Sequence, residues 1–298
     1  MARRTRQFFL AGAFGWLGVT GTVPAATVID IVVSEPTGIY QEAAAGLTRS
    51  LAGENWTLAL STPERISVGS PDLVVAIGTR ALEAALAQPA RPVLSLLVPR
   101  LTFERLAAGK EQVTALYLDQ PLARQLQLLD IALPGLKRVG VPLGPASQAM
   151  QSALQGAAKE TGVQVGSAQI QRPSELHASL DALAADSQAF LLLPDPLVAQ
   201  RNMLQNFFLH TYRLRKPVLA YSAPLAQSGA LLALYATPTQ LGEEAADWIR
   251  ESQASGFRLG PPRHPKRFTV AVNSTVARSL QIALPSEAVL TRQLEARR

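Results

Sequence analysis

The 298-residue chain contains no cysteine. That excludes disulfides, thiolate metal ligands, a cysteine nucleophile and a lipidated N-terminal cysteine. Histidine is nearly as scarce: His177, His210 and His264 stand far apart and lack metal-ligand spacing, which leaves them as surface or helix-packing residues. No Gly-Lys-Ser or Gly-Lys-Thr phosphate loop occurs, and no serine sits in a nucleophile elbow. The residues therefore give no support to an enzyme, and no cofactor or metal is expected. Aromatic residues make up only 6% of the chain. Trp56, Trp248, Phe207, Phe208 and Tyr212 read as packing residues, with Phe208 and Tyr212 four apart on one buried helix face.

The apolar run Phe8–Val23 falls short of the roughly 20 residues that a membrane-spanning helix requires, and Gly12, Gly15, Gly18 and Gly21 dilute it. It follows Arg3, Arg4 and Arg6 and precedes Val23-Pro24-Ala25-Ala26, the order of charge, apolar core and small residues found in a signal peptide. Residues 1–26 are therefore expected to be removed on export, by the general secretory route. With no cysteine to carry a lipid, the product is expected to be a freely soluble periplasmic protein. Loss of the three arginines takes the 28 basic residues to 25 against 22 acidic ones, so the net charge falls from +6 to +3. The densest basic cluster, Arg263, His264, Lys266 and Arg267, is broken by prolines and reads as a solvated loop. It has neither the length nor the aromatic platforms of a nucleic-acid surface.

What the chain does contain is a recurring unit of apolar strand, small polar turn and helix. Val28–Val33 leads through Ser34 and Glu35 to a helix over 40–51. Leu73–Ile77 leads through Gly78-Thr79 to a helix over 80–87. Val139–Leu143 leads through Gly144-Pro145-Ala146-Ser147 to a helix reaching about residue 160. The runs Phe190–Leu193, Val218–Tyr221 and Leu231–Tyr235 are too short for ordinary helices and suit buried parallel strands. This alternation predicts an α/β fold with parallel sheets. About 270 mature residues suffice for two lobes with separate cores. A break falls at Ala115–Pro121, where a strand runs into a helix over 122–132, and a second crossover is expected near Ala236-Thr237.

The passage LYLDQPLARQLQLLDIALPGLKRVGVPLGPAS and the closing FTVAVNSTVARSLQIALP resemble the ABC transporter substrate-binding family, and the likeness extends over essentially the whole mature chain. The resemblance implies a type I periplasmic-binding architecture of two Rossmann-like lobes. Lobe 1 would comprise 27–118 and about 237–260, lobe 2 would comprise 119–236 and about 266–285, and 286–298 would form a tail. It also implies capture of a small organic, amino-acid-like ligand between the lobes and delivery to a membrane permease. An alternative is a sensory or envelope-assembly module of the same fold that contacts an outer-membrane receptor. The chain departs from the family at Thr114-Ala115, where glycine commonly follows threonine, and at Pro99-Arg100, where Asp-Pro is common.

In parallel α/β sheets ligands bind beyond the carboxyl ends of the strands. The candidates there are Ser34, Glu35, Gly78, Thr79, Asp119, Ser147, Asp195, Tyr221 and Ser222. Gly78-Thr79 and Ser147 open helices whose amides can hold an anion, or they merely cap them. Asp195, between two prolines, can accept from an amine or cap the helix that follows. Tyr221-Ser222 offers an aromatic face and two hydroxyls, or a core tyrosine beside a cap. Arg100 can pair with an acidic group or lie free at the surface.

Overall fold

The computed structural model describes residues 27–66, 70–89 and 91–297. The expected signal peptide lies outside them, and no described helix is long and apolar enough to cross a membrane.

Two sheets form. The first contains β1 (Thr27–Val33), β2 (Trp56–Ser61), β3 (Leu73–Ile77), β4 (Val93–Leu96) and β5 (Val113–Ala115), all parallel, in the order β2-β1-β3-β4-β5. Its connecting helices are α1 (Gly38–Leu51), α2 (Thr79–Leu86) and α3 (Arg100–Leu106). The chain then crosses to α4 (Leu122–Ala132) and builds the second sheet from β6 (Arg138–Leu143), β7 (Gln164–Gln169), β8 (Ala189–Leu191), β9 (Val218–Ala220) and β10 (Leu232–Tyr235). Helices α5 (Gln151–Thr161), α6 (Leu176–Asp186), α7 (Arg201–Arg213) and α8 (Ala223–Gln227) alternate with these strands. After β10 the chain returns through α9 (Pro238–Gln253), which packs on α1 beside the first sheet, and crosses a third time to β11 (Thr269–Val272). β11 is antiparallel to β10 and closes the order β11-β10-β9-β8-β6-β7. Two helices end the chain, α10 (Ser274–Leu280) and α11 (Glu287–Glu295).

Both sheets are covered on both faces, which is why their strands read as unbroken apolar runs. Along β1 and β3, Ile29, Ile31, Leu73 and Val75 pack against α1 and α9, while Val32, Val74 and Ala76 pack toward α2 with Phe103 of α3. In the second sheet Val139, Val141 and Leu191 face α4 and α5, while Phe190, Val218 and Ala220 face α6 and α7. This is the period-2 alternation of strands. The α1–α9 contact depends on close approach: a Cβ on Gly242 would strike the Ala43 carbonyl oxygen and the Leu47 backbone nitrogen, and one on Gly46 would meet Thr239.

Several expectations need correction. β2 was not among the expected strands; it is a partly exposed edge strand and lacks an apolar run. The segment expected as a C-terminal tail carries α11, which buries Leu290 and Leu294 in the core of the second sheet. Tyr212 is 50% exposed although Phe208 on the same helix is buried. The basic cluster is a solvated loop only in part: Lys266 and Arg267 are exposed, but the segment is tied to the protein on several sides. The Arg263 guanidinium lies 3.7 Å above the Trp248 ring, the Arg263 backbone bridges to Leu116, Glu244 accepts the Lys266 and Arg267 N–H groups, and Arg267 pairs with Glu243 and Asp247. His177 and His210, distant in sequence, stack 4.6 Å apart, with His210 also bonded to Asp181.

Candidate functional site

Strand order locates the crevices. In the first sheet β2 and β3 flank β1 on opposite sides, so the order reverses between β1 and β3; in the second it reverses between β6 and β8. Ligand crevices in open α/β sheets form at such reversals, outside the carboxyl ends of the strands. Two of the three crossovers leave from the carboxyl ends of β5 and β10, which sets both carboxyl edges along the seam between the sheets.

At the first reversal the structure brings together Ser34, Gly78 and Thr79. Ser34 is buried; its hydroxyl accepts the Ala81 N–H at 3.0 Å, and its own N–H bonds to the Ile77 carbonyl. Gly78 has φ +93°, and a Cβ there would overlap the Ser34 hydroxyl and the Tyr40 ring. Only glycine turns the chain here without strain. The Leu82 N–H reaches the Gly78 carbonyl. With Ala81 held by Ser34, the Thr79 and Arg80 amides remain as helix-opening donors at the crevice, where a helix favours negative charge. Glu35 lies exposed beyond the rim.

The second reversal is built differently. Ser147 is 0% exposed and Asp195 3%. Asp195 Oδ2 accepts from the Ser147 N–H at 2.8 Å and from its hydroxyl at 2.9 Å, while Oδ1 accepts the Leu197 N–H at 2.9 Å. The Ser147 hydroxyl in turn accepts the Gly144 N–H. Both carboxylate oxygens are thus turned inward, tying the turn after β6 to the turn after β8. Asp195 and Ser147 fill this crevice themselves, and the carboxylate acts as a cap and is not open toward the seam.

The seam contains more than was expected. Asp119, half-buried in the first crossover, accepts the Arg100 N–H at 2.6 Å and so caps α3. Burial pushes its carboxyl above the ordinary value, against the opposing pull of the Arg100 amide and His264. His264, from the third crossover, bonds through Nδ1 to the Asp119 carbonyl at 2.8 Å and packs on Tyr117 at 5.1 Å; burial holds its imidazole below the usual range. Arg124 adds bonds to Gln120 and to the Pro265 carbonyl, so the first and third crossovers are knitted together. Tyr221, from the second sheet, is half-buried, and its phenol is raised by burial and then by the charges of Asp119 and Asp195. Ser222 beside it opens α8 without a side-chain capping bond. Arg100 is not free: its side chain pairs with Glu104 at 2.7 Å.

Sequence reasoning did not single out Tyr40, Leu97 or Tyr117 beside these turns, and it read His264 as a surface or helix-packing residue. Leu97 follows β4 with φ +55°, a left-handed conformation uncommon for a side-chain-bearing residue and concentrated at functional sites. Nothing in the sequence brings His264 to Asp119 across 145 positions. Among the described residues no group of three or more His, Asp or Glu side chains is placed to hold a metal ion.

Comparison with known proteins agrees with this architecture. No curated protein matches the chain. Among solved structures, a conserved domain protein of Vibrio cholerae is 24% identical, with TM-score 0.58 over 90% of this chain and 98% of its own. The ligand-free, open structure of a substrate binding protein with adhesive properties from Clostridium difficile is 20% identical, with TM-score 0.69 over 87% and 96%. An ABC domain from Streptococcus pneumonia, in complex with L-Trp, is 18% identical, with TM-score 0.59 over 89% and 97%. At these identities the likeness is one of fold, that of the type I periplasmic-binding proteins. The model of the family described as ABC transporter substrate binding protein matches residues 49–296, and the chain therefore belongs to that family.

Proposed function

We propose that the chain is a periplasmic solute receptor that captures a small zwitterionic organic ligand, amino-acid-like in chemistry, in the seam between its lobes and presents it to an ABC-type permease. What supports this reading is that the open Thr79 and Arg80 amides follow the carboxyl end of β3 in one sheet, Tyr221 follows that of β9 in the other, and Asp119 lies in the crossover between the sheets. The Thr79 and Arg80 amides and the Thr79 hydroxyl suit the ligand's carboxylate. Asp119 keeps acceptor capacity beyond its single bond to Arg100, since a carboxylate has about four acceptor positions, and it suits the ammonium group. Tyr221 supplies an apolar face with a polar tip. The L-Trp bound by the streptococcal protein of the same fold is a ligand of this class.

In this reading the lobes are 27–118 with α9, and 119–236 with β11, α10 and α11, hinged through three crossovers. A ligand that bridges both lobes favours the closed arrangement by its differential affinity for it. No bond is made or broken, and the chain is not an enzyme. A thermal-shift screen of amino acids, sugars and nucleosides tests the ligand class. A ligand at one hundred times its Kd stabilises the fold by about 2.7 kcal/mol, or roughly 5–10 °C at this chain length. Shifts confined to amino acids support the reading, and shifts confined to sugars or nucleosides overturn it.

A further inference from the structure

In the second lobe, between α7 and the helices α8 and α10, lies a trough of about 770 Å³. One wall is α7, whose Arg201, Leu204, Gln205, Phe208, Leu209 and Tyr212 all line it. Spacings of three and four place these six residues on a single helix face. The trough therefore follows the helix from end to end, on the order of 16 Å at 1.5 Å per residue. The other wall comes from Leu225 of α8 and Val276 of α10.

The trough is apolar along its length and cationic at one end. Phe208 and Leu225 form a buried floor, while Leu209 and Tyr212 stay 50% exposed at the rim, apolar surface that the fold leaves uncovered. At the opposite end stands Arg201, whose side chain makes no ion pair or hydrogen bond with any described residue. It begins a helix of thirteen residues whose N-cap, Gln200, makes no side-chain capping bond. The first-turn amides and the positive end of the helix dipole therefore lie beside the guanidinium. Helices α7, α8 and α10 contain no Asp or Glu, but they carry Arg201, Arg213, Arg278 and His210.

From this charge complementarity we infer that the trough binds a free long-chain monocarboxylate, with its head on Arg201 and the start of α7 and its alkyl chain along Leu204, Phe208 and Leu209 toward Tyr212. Two walls suit a single chain better than a flat membrane surface, and of the arginines on these helices only Arg201 lines the trough. None of the candidate ligand residues at the seam lines the trough, and the inference does not depend on the ligand proposed there.

Calorimetric titration of the full chain with decanoate tests the inference, with decyltrimethylammonium and hexanoate as comparators of opposite charge and of shorter chain. One decanoate should bind at least about tenfold more tightly than either comparator, the scale of one charge-assisted hydrogen bond. Arg201→Glu and Leu209→Asp should each weaken it by about tenfold or more, with unchanged circular dichroism. Should Leu209→Asp fail to fold, Tyr212→Asp takes its place. No decanoate binding, equal binding of the ammonium amphiphile, or full affinity retained in the variants would overturn the site. So would binding seen only with phosphatidylglycerol vesicles, which would make the face a membrane contact.

Discussion

Replacing Asp195 by alanine should unfold the chain more readily without removing a ligand contact. The carboxylate is 3% exposed and receives the Ser147 N–H, the Ser147 hydroxyl and the Leu197 N–H. Without it the Ser147 and Leu197 N–H groups lose their acceptor, each costing about 1–3 kcal/mol before relaxation, while the Ser147 hydroxyl keeps the Gly144 carbonyl at 3.3 Å. Water can enter the space vacated and recover part of the loss, so about 3–4 kcal/mol is expected. For a chain of this size that is roughly 6–15 °C in melting temperature. Asp195→Asn keeps one oxygen acceptor but turns an amide NH2 toward other donors, and should lose about half as much. Urea denaturation gives the stability, and calorimetric titration of the folded variant with the amino acid found by thermal shift gives the affinity. A loss of under about 1 kcal/mol in stability, together with collapse of ligand affinity, would refute the reasoning and return Asp195 to the ligand.

Gly242→Ala places a methyl group against the Ala43 carbonyl and the Leu47 nitrogen across the α1–α9 contact; a cost of about 1–3 kcal/mol is expected from overpacking, read from the urea midpoint. Stability should also depend on pH through His264. Burial depresses its folded value below the ordinary 6.5, so the unfolded chain binds the extra proton and stability rises with pH. The contribution is present above about pH 6.5 and is lost as pH falls toward the depressed folded value. Asp119, raised by burial, acts in the opposite direction: its stabilising effect is full below about pH 4 and fades as pH rises through its folded value. Between pH 7 and pH 5.5 the His264 contribution is lost, so the wild-type urea midpoint should lose more on acidification over this window than that of His264→Gln; equal slopes would contradict the assignment.

The α/β alternation was legible because both sheets are covered on both faces. Leu73–Ile77 and Leu122–Ala132 occupy the residues that their apolar patterns mark out. β2 was not legible, since half-exposed edge residues carry no continuous apolar run. The turns after β1, β3 and β6 were legible as candidate site positions because Gly, Ser and Thr at strand ends signal a turn whatever its role. Their roles were not. Whether Asp195 faces a ligand or the Ser147 amide depends on which turn the strand order sets beside it, and that order is a long-range property. His264 was hidden for the same reason: its partner is a backbone carbonyl of another crossover, which no local pattern records. Tyr212 misled because four-residue spacing with Phe208 is as compatible with an open trough wall as with a core.

The most direct test of ligand-driven closure exploits the absence of cysteine. Cysteines introduced as Glu83→Cys on α2 and Gln148→Cys beside Ser147, both exposed positions flanking the two strand-order reversals, can be spin-labelled with no competing thiol. The distance between them is then measured by pulsed electron resonance with and without the amino acid that gives the largest thermal shift. The account predicts a shorter, narrower distance distribution in the presence of ligand. An unchanged distribution at saturating ligand would contradict closure of two lobes around a ligand held in the seam.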